Sequence, residues 1–170
     1  MEIREALAED HAVIEAVLDA AFGTDRHART AYRVRAGTVP IPNLSFVAID
    51  KGVMVGSLQC WPVEIRGKGK SVPLVMLGPV AVLPELQKSG VGKALMKHAL
   101  AVADQRGVEA IMLVGDAEYY GRFGFEAAPT QQWSLPGPFA RHRLLARLAP
   151  GVSLPAEGDI GPRIDAHRAA

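Results

Sequence analysis

Gly90, Gly92 and Lys93 stand just behind Gln87, Lys88 and Ser89. A glycine-rich run with adjacent lysines is an anion-binding pattern when it opens a helix. Glycine lets backbone N–H groups approach a phosphate closely, and the helix dipole favours negative charge there. Two adjacent tyrosines, Tyr119 and Tyr120, offer phenolic protons for acid catalysis. Glu64, Asp116 and His142 are two acids and an imidazole able to take up a proton, and Cys60 is the sole thiol. One cysteine excludes an internal disulfide and a multi-cysteine metal site, and it makes a reducing cytoplasm the expected location.

Composition narrows the classes further. The chain has 170 residues, 49% of them apolar and 22% charged, which fits one compact domain and excludes a disordered or fibrous chain. A formal net charge of +1 argues against a dedicated nucleic-acid binder, which would carry a large basic excess. The first residues lack the basic start and apolar run of a signal peptide. Apolar stretches such as 72–82 are broken by Pro and Gly and are too short to span a bilayer, so no membrane partner is expected.

These residues need elements to hold them. Helical spacing of Val13, Ile14, Val17, Leu18, Ala21 and Phe22 predicts a helix over 8–22 that stops at Gly23. A second helix is expected over 25–37, with Asp25 as N-cap and with Arg26, Arg29 and Arg33 on one basic face. Strands follow over 44–49, 53–66 and 72–82, joined by hairpin turns at Asp50-Lys51-Gly52 and around 67–71. A helix over 91–106 presents Val91, Leu95, Ala99, Val102 and Ala103 to the sheet, and Gly107 ends it. The apolar run 110–114 is a buried strand, so 72–114 forms a strand–helix–strand unit with a parallel pair. One or two helical turns are expected over 116–122, then two strands bracketing Pro136-Gly137-Pro138, with 139–148 as the return strand. Residues 151–170, with Gly and Pro and little periodicity, are expected to be a partly ordered tail after a domain over 1–150.

Three phosphate-binding patterns compete for 83–95. A nucleotide P-loop needs Gly at 87 and Ser or Thr at 94, where Gln87 and Ala94 stand. A dinucleotide fingerprint needs a third glycine, but Leu95 occupies that place, and the preceding strands form a meander rather than a doubly wound sheet. The run Gln87-Lys88-Ser89-Gly90-Val91-Gly92 matches the Gln/Arg-x-x-Gly-x-Gly/Ala loop of the GCN5-related N-acetyltransferases (GNAT). Gly78-Pro79-Val80-Ala81-Val82-Leu83-Pro84-Glu85 resembles the fourth strand and its exit in that superfamily. Tyr119-Tyr120-Gly121-Arg122-Phe123-Gly124-Phe125 resembles its short helix and the Gly-Phe that follows.

The resemblance implies an α/β (α+β) fold: a mixed central sheet of about six to seven strands, an antiparallel meander and then the parallel unit, with helices on both faces. It implies acetyl-CoA as cosubstrate, no metal, and transfer of an acetyl group to a primary amine by direct attack through a tetrahedral intermediate. Backbone groups of Val80, Ala81 and Val82 would pair with the pantetheine amides where Gly78-Pro79 bulges the strand. The pyrophosphate would lie on Gln87, Lys88, Ser89, Gly90, Val91, Gly92 and Lys93. Tyr120 stands where the family carries the tyrosine that reaches the coenzyme sulfur and protonates the leaving thiolate, with Tyr119 as the neighbour able to take that role. Many members have an Asn at the start of a longer helix; Leu113 stands at that place here, and Asp116 reads as the N-cap of a shorter helix.

The residue that deprotonates the amine stays open among Glu64, Asp116, His142 and a water chain. Cys60 reads as a buried, inert thiol. The acceptor, expected to be a small molecule, is not legible, and a homodimer is possible from what is common among relatives. A non-catalytic acyl-CoA-binding module of the same fold is the alternative to an enzyme; it would bind coenzyme without turning over any amine.

Overall fold

The computed structural model describes residues 1–164. Strands β1 (Glu2–Glu5), β2 (Phe46–Asp50), β3 (Val53–Gly67), β4 (Lys70–Val82), β5 (Ala110–Val114), β6 (Gln132–Ser134), β7 (Leu144–Leu148) and β8 (Glu157–Pro162) alternate with helices α1 (His11–Phe22), α2 (Thr30–Val34), α3 (Val91–Gln105) and α4 (Ala117–Tyr120). The eight strands make one mixed sheet in the order β1-β2-β3-β4-β5-β7, with β8 pairing β3 and β6. The described residues gather into two compact units, and β3 and β4 each contribute to both.

Met1–Ala28, Pro40–Cys60 and Leu77–Gly107 form the first unit. Here β2 pairs antiparallel with β1 and with the first half of β3. The β2–β3 turn has only two residues, and both Lys51 (φ 51°) and Gly52 (φ 79°) are left-handed, as a type I′ hairpin requires. Helix α1 buries Ile14, Val17 and Leu18 with Val47, Met54 and Ala81. Helix α3 buries Val91, Leu95, Met96, Ala99, Leu100 and Ala103, while the expected Val102 is only half-buried.

Arg29–Val39, Trp61–Met76 and the chain from Val108 onward form the second unit. The strand–helix–strand unit is present: β4 and β5 run parallel, with Val75 beside Ile111 and Met76 beside Met112. Strand β7 covers the other side of β5, antiparallel from Ala110↔Leu148 to Val114↔Leu144. Trp61, Val63, Ile65, Leu74, Met76, Met112, Trp133 and Leu144 fill its core, and the buried Trp133 indole donates to the Pro155 carbonyl at 2.8 Å.

Three expectations are corrected. The helix expected over 25–37 is a 3-10 turn at Arg26–Ala28 followed by the short α2. Its three arginines share no basic face. Arg26 is buried and ion-paired to Glu15 and to Asp19 (3.0 Å) on α1, whereas Arg29 and Arg33 are exposed. Two carboxylates on a neighbouring helix outweigh solvation of this one guanidinium.

Secondly, β6 and β7 do not form a hairpin around Pro136-Gly137-Pro138. Strand β6 pairs parallel with β8, and Leu144, Leu145 and Ala146 of β7 are all buried rather than alternating. Thirdly, the segment read as a tail holds β8, which runs antiparallel to β3 from Val63↔Pro162 to Arg66↔Asp159. The glycines that made it look irregular are what let it pack. A Cβ on Gly158 would lie 2.7 Å from the Arg66 carbonyl oxygen, and one on Gly67 would lie 2.7 Å from the Glu157 carbonyl oxygen. The remainder of that segment, 165–170, lies outside the described residues.

Candidate functional site

In the first unit, β4 leads through a 3-10 turn at Pro84–Leu86 into α3. The β4–β5 ladder consists of the pairs at Val75 and Met76, just ahead of Gly78, which has φ +122° and a cis peptide to Pro79. Ala81 is fully buried in the core beside α1, whereas Val80 and Val82 are half-buried. The Leu83 N–H donates to the Val55 carbonyl at 2.9 Å, which ties the end of this segment to β3.

The loop is then tightly wound. Lys88 takes φ +68° and Gly90 takes φ +96°, and Gly90 is the N-cap of α3 with no side-chain cap bond. The first N–H groups of a 15-residue helix are thereby left for an outside acceptor. The space a Cβ would occupy at Gly90 meets no atom within 4 Å among the described residues. Gln87, Lys88, Ser89, Gly90 and Lys93 are exposed and Gly92 is half-buried, while the Val91 side chain belongs to the core. Not every N–H of the run is free for a ligand. Ser89 donates to the Leu86 carbonyl at 3.2 Å and Gln87 to that of Pro84 at 3.4 Å. Open space, left-handed backbone and a helix start suit a diphosphate.

In the second unit, Tyr120 closes α4. Asp116 is the N-cap of that helix, its Oδ1 accepting the Glu118 N–H at 3.0 Å. The Tyr120 N–H donates to the Asp116 carbonyl at 2.9 Å, and its carbonyl accepts the Phe125 N–H at 3.3 Å. Its ring lies edge-on to Tyr119, with centroids 4.9 Å apart, and to Phe125 at 6.2 Å. Burial above all, then Tyr119, pushes the phenol up to about 12, with Arg143 opposing and Asp116 adding to the rise. Tyr119 also lies edge-on to Phe123, with centroids 5.6 Å apart, and sits under the Arg122 guanidinium at 4.8 Å. Beyond their mutual contact, the two tyrosines therefore have different neighbours.

The remaining candidates are occupied or inert. Glu64 accepts from the Ser71 hydroxyl and from Arg66 (3.1 Å); the Ser71 bond, followed by that to Arg66, holds its carboxyl below the usual range and weakens it as a base. His142 is exposed in the 3-10 turn ahead of β7. Burial pushes the Cys60 thiol up to about 12, which leaves no thiolate for nucleophilic attack. Among the described residues no group of three or more His, Cys, Asp or Glu is placed to hold a metal ion, and no helix is long and apolar enough to cross a membrane.

Two glycines went unnoticed in the sequence. A Cβ on Gly56 would meet Val91 Cγ1 at 2.9 Å, the Ala81 carbonyl oxygen at 3.0 Å and Leu95 Cδ1 at 3.1 Å, so Gly56 seats the start of α3 on β3. A Cβ on Gly115 would collide with Tyr120 Cε2 and meet Cδ2 at 2.9 Å. Gly56 carried a signal, a lone glycine inside a strand pattern, which marks a close approach. Gly115 follows the apolar run as any turn glycine would.

The profile of the acetyltransferase (GNAT) domain family matches residues 2–128. The uncharacterized N-acetyltransferase YjhQ of Escherichia coli K12 is 31% identical over 117 residues, 69% of this chain; the match spans 65% of YjhQ's length. The uncharacterized N-acetyltransferase YhbS of the same strain is 30% identical over 129 residues, 75% of each chain. A GNAT family acetyltransferase from Brucella melitensis, crystallised with acetyl-CoA, superposes with a TM-score of 0.68 at 30% identity over 95% of both chains. The crystal structure of E. coli YhbS in complex with CoA shares the fold, with a TM-score of 0.74 at 24% identity over 99% of this chain and 93% of that one. The family profile spans most of the chain and the relatives and fold agree with it: the chain belongs to the GNAT acetyltransferase family.

Proposed function

We propose that this chain is an acetyl-CoA-dependent N-acetyltransferase that acts on a primary amine of a small acceptor in the cytoplasm. The observation that carries the reading is the loop into α3, with Lys88 and Gly90 left-handed and the helix start left open. The Brucella melitensis relative, crystallised with acetyl-CoA, supports it. Bound acetyl-CoA supplies an acetyl thioester, which a neutral amine attacks directly.

The chain's own groups have distinct tasks in this reading. N–H groups from Lys88 and from Gly90 through Lys93 hold the diphosphate, with the lysine charges beside it. Backbone of residues 80–82 binds the pantetheine amides, and one N–H there polarises the acyl carbonyl. Tyr120 gives a proton to the departing sulfur, while the proton shed by the attacking nitrogen passes to water, from which the phenolate is reprotonated. With its phenol near 12, Tyr120 carries that proton throughout the neutral range. Full transfer to an alkyl thiolate, of ordinary pKa about 8.5, is uphill, so the proton moves only as the sulfur gains charge.

Thiol release with acetyl-CoA and a panel of small primary amines tests the reading, with melting curves alongside. Turnover of at least one amine is expected. Acetyl-CoA at about a hundredfold excess over its Kd should stabilise the fold by about 2.7 kcal/mol, and ATP and NAD should not. Coenzyme binding with no turnover of any amine would leave the non-catalytic module standing. A larger shift with ATP or NAD would overturn the coenzyme assignment.

A further inference from the structure

Tyr120 lies over the end of β5, where the chain turns into α4, and three groups converge on Gly115 there. Its N–H donates to the Arg143 carbonyl at 2.9 Å, which ties the strand end to the start of β7. On one side of the missing side chain lies the Tyr120 ring, with Cδ2 2.9 Å from where a Cβ would be; on another lies Leu113 Cδ1 at 3.2 Å. Gly115 is buried, and so is Leu113. The ring has little room to retreat, because Tyr119 stands edge-on at 4.9 Å and Phe125 at 6.2 Å. Nor has the backbone, since the Tyr120 N–H and carbonyl are both bonded.

We propose that Gly115 is a positioning residue for acetyl transfer: its bare Cα is the seat that fixes the Tyr120 ring and hence the place of the phenolic hydroxyl. The inference rests on the reading of Tyr120 as the proton donor. Gly115 touches no substrate in this scheme; it acts through the ring. Alanine at 115 drives the ring away from the strand end, so the hydroxyl moves even though every catalytic group is still present. A misplacement of about 1 Å can cost up to about 10²-fold in rate.

Gly115→Ala should lower kcat at least about tenfold while the Kd for acetyl-CoA stays within about twofold, because the coenzyme loop is untouched. In a Tyr120→Phe background the same change should add less than about twofold, since the hydroxyl it displaces is gone. Titration of the phenols by ultraviolet difference absorbance gives a readout independent of turnover. The slow-to-ionise phenol, assigned by its loss in Tyr120→Phe, should shift down from about 12 in Gly115→Ala as the ring gains solvent. If Gly115→Ala melts too low to assay, Gly115→Ala/Tyr120→Leu should recover stability, because the smaller side chain removes the clash.

Wild-type kcat in a folded Gly115→Ala protein, an equal loss in both backgrounds, or no recovery in the leucine double variant overturns the proposal. If Tyr120→Phe itself keeps wild-type kcat, the proton-donor reading fails and takes the rate effect with it. The phenol titration then still shows whether Gly115 seats the ring.

Discussion

The loop ahead of α3 and the corner at Tyr120 are each seated on a glycine, Gly56 within β3 under Val91 and Leu95 and Gly115 just past the end of β5 under the tyrosine ring. What they present is different. The loop offers N–H groups held by left-handed residues at 88 and 90, and the identity of most of its side chains is immaterial to that task. The corner offers one hydroxyl on a largely buried ring, whose use depends on where the surrounding packing puts it. A backbone site is specified locally, by dihedral angles that only certain residues tolerate. A side-chain site is specified by tertiary contacts, and a distant-looking residue can displace it.

The largest expected effect breaks the corner. Tyr120→Phe should lower kcat by about 10²-fold, the lower end for general acid catalysis, with acetyl-CoA affinity nearly unchanged because the ring and its packing remain. Tyr119→Phe is the control, since that ring packs instead with Phe123 and Arg122. Steady-state rates with an amine that turns over decide the matter. Loss in Tyr119→Phe with retention in Tyr120→Phe would exchange the two assignments; retention in both would mean that solvent supplies the proton.

Next in size is a break in the loop. Gly90→Val forces a β-branched residue to φ +96° and should weaken acetyl-CoA binding by about 1–3 kcal/mol, read by calorimetry. Gly56→Ala reaches the same loop from beneath: it overpacks Val91 and Leu95, should cost about 1–3 kcal/mol of stability, and should weaken coenzyme binding as α3 lifts. Neither change should alter the phenol titration of Tyr120. Unchanged affinity in a folded Gly90→Val protein would remove the loop from the coenzyme site.

The same contrast explains what was legible in the sequence. Apolar runs bounded by the turn signals at 50–52 and 67–71 placed β2, β3 and β4 within a few residues, and the Gly-x-Gly spacing located the start of α3, because those signals are local. Asp116 as N-cap was readable for the same reason. Burial of Arg26 was not, since it depends on Glu15 and Asp19 reaching it from α1. Nor was β8: its glycines 158 and 161 look like loop residues until β3 lies against them. The pairing of β6 with β8 instead of β7 is likewise a choice among partners, which no window of sequence contains.

The smallest effect sharpens the corner through pH. The Tyr120 phenol is raised by burial from 10.0 to about 12, so the folded protein holds this proton more tightly than the unfolded chain does. Its contribution to stability is therefore complete below about pH 10 and is lost as pH rises through about 12, because the unfolded state releases the proton first. Melting temperatures from about pH 8 to 11.5 should fall more steeply for the wild type than for Tyr120→Phe, which lacks the titrating group. Over the same range Tyr120 should add no alkaline limb below about pH 11 to kcat/KM, which reports the free enzyme. A limb near pH 10 that vanishes in Tyr120→Phe would show a phenol open to water. Parallel melting curves would say the same. Either result would move Tyr120 out of the packed corner and leave the backbone loop as the better-specified of the two regions.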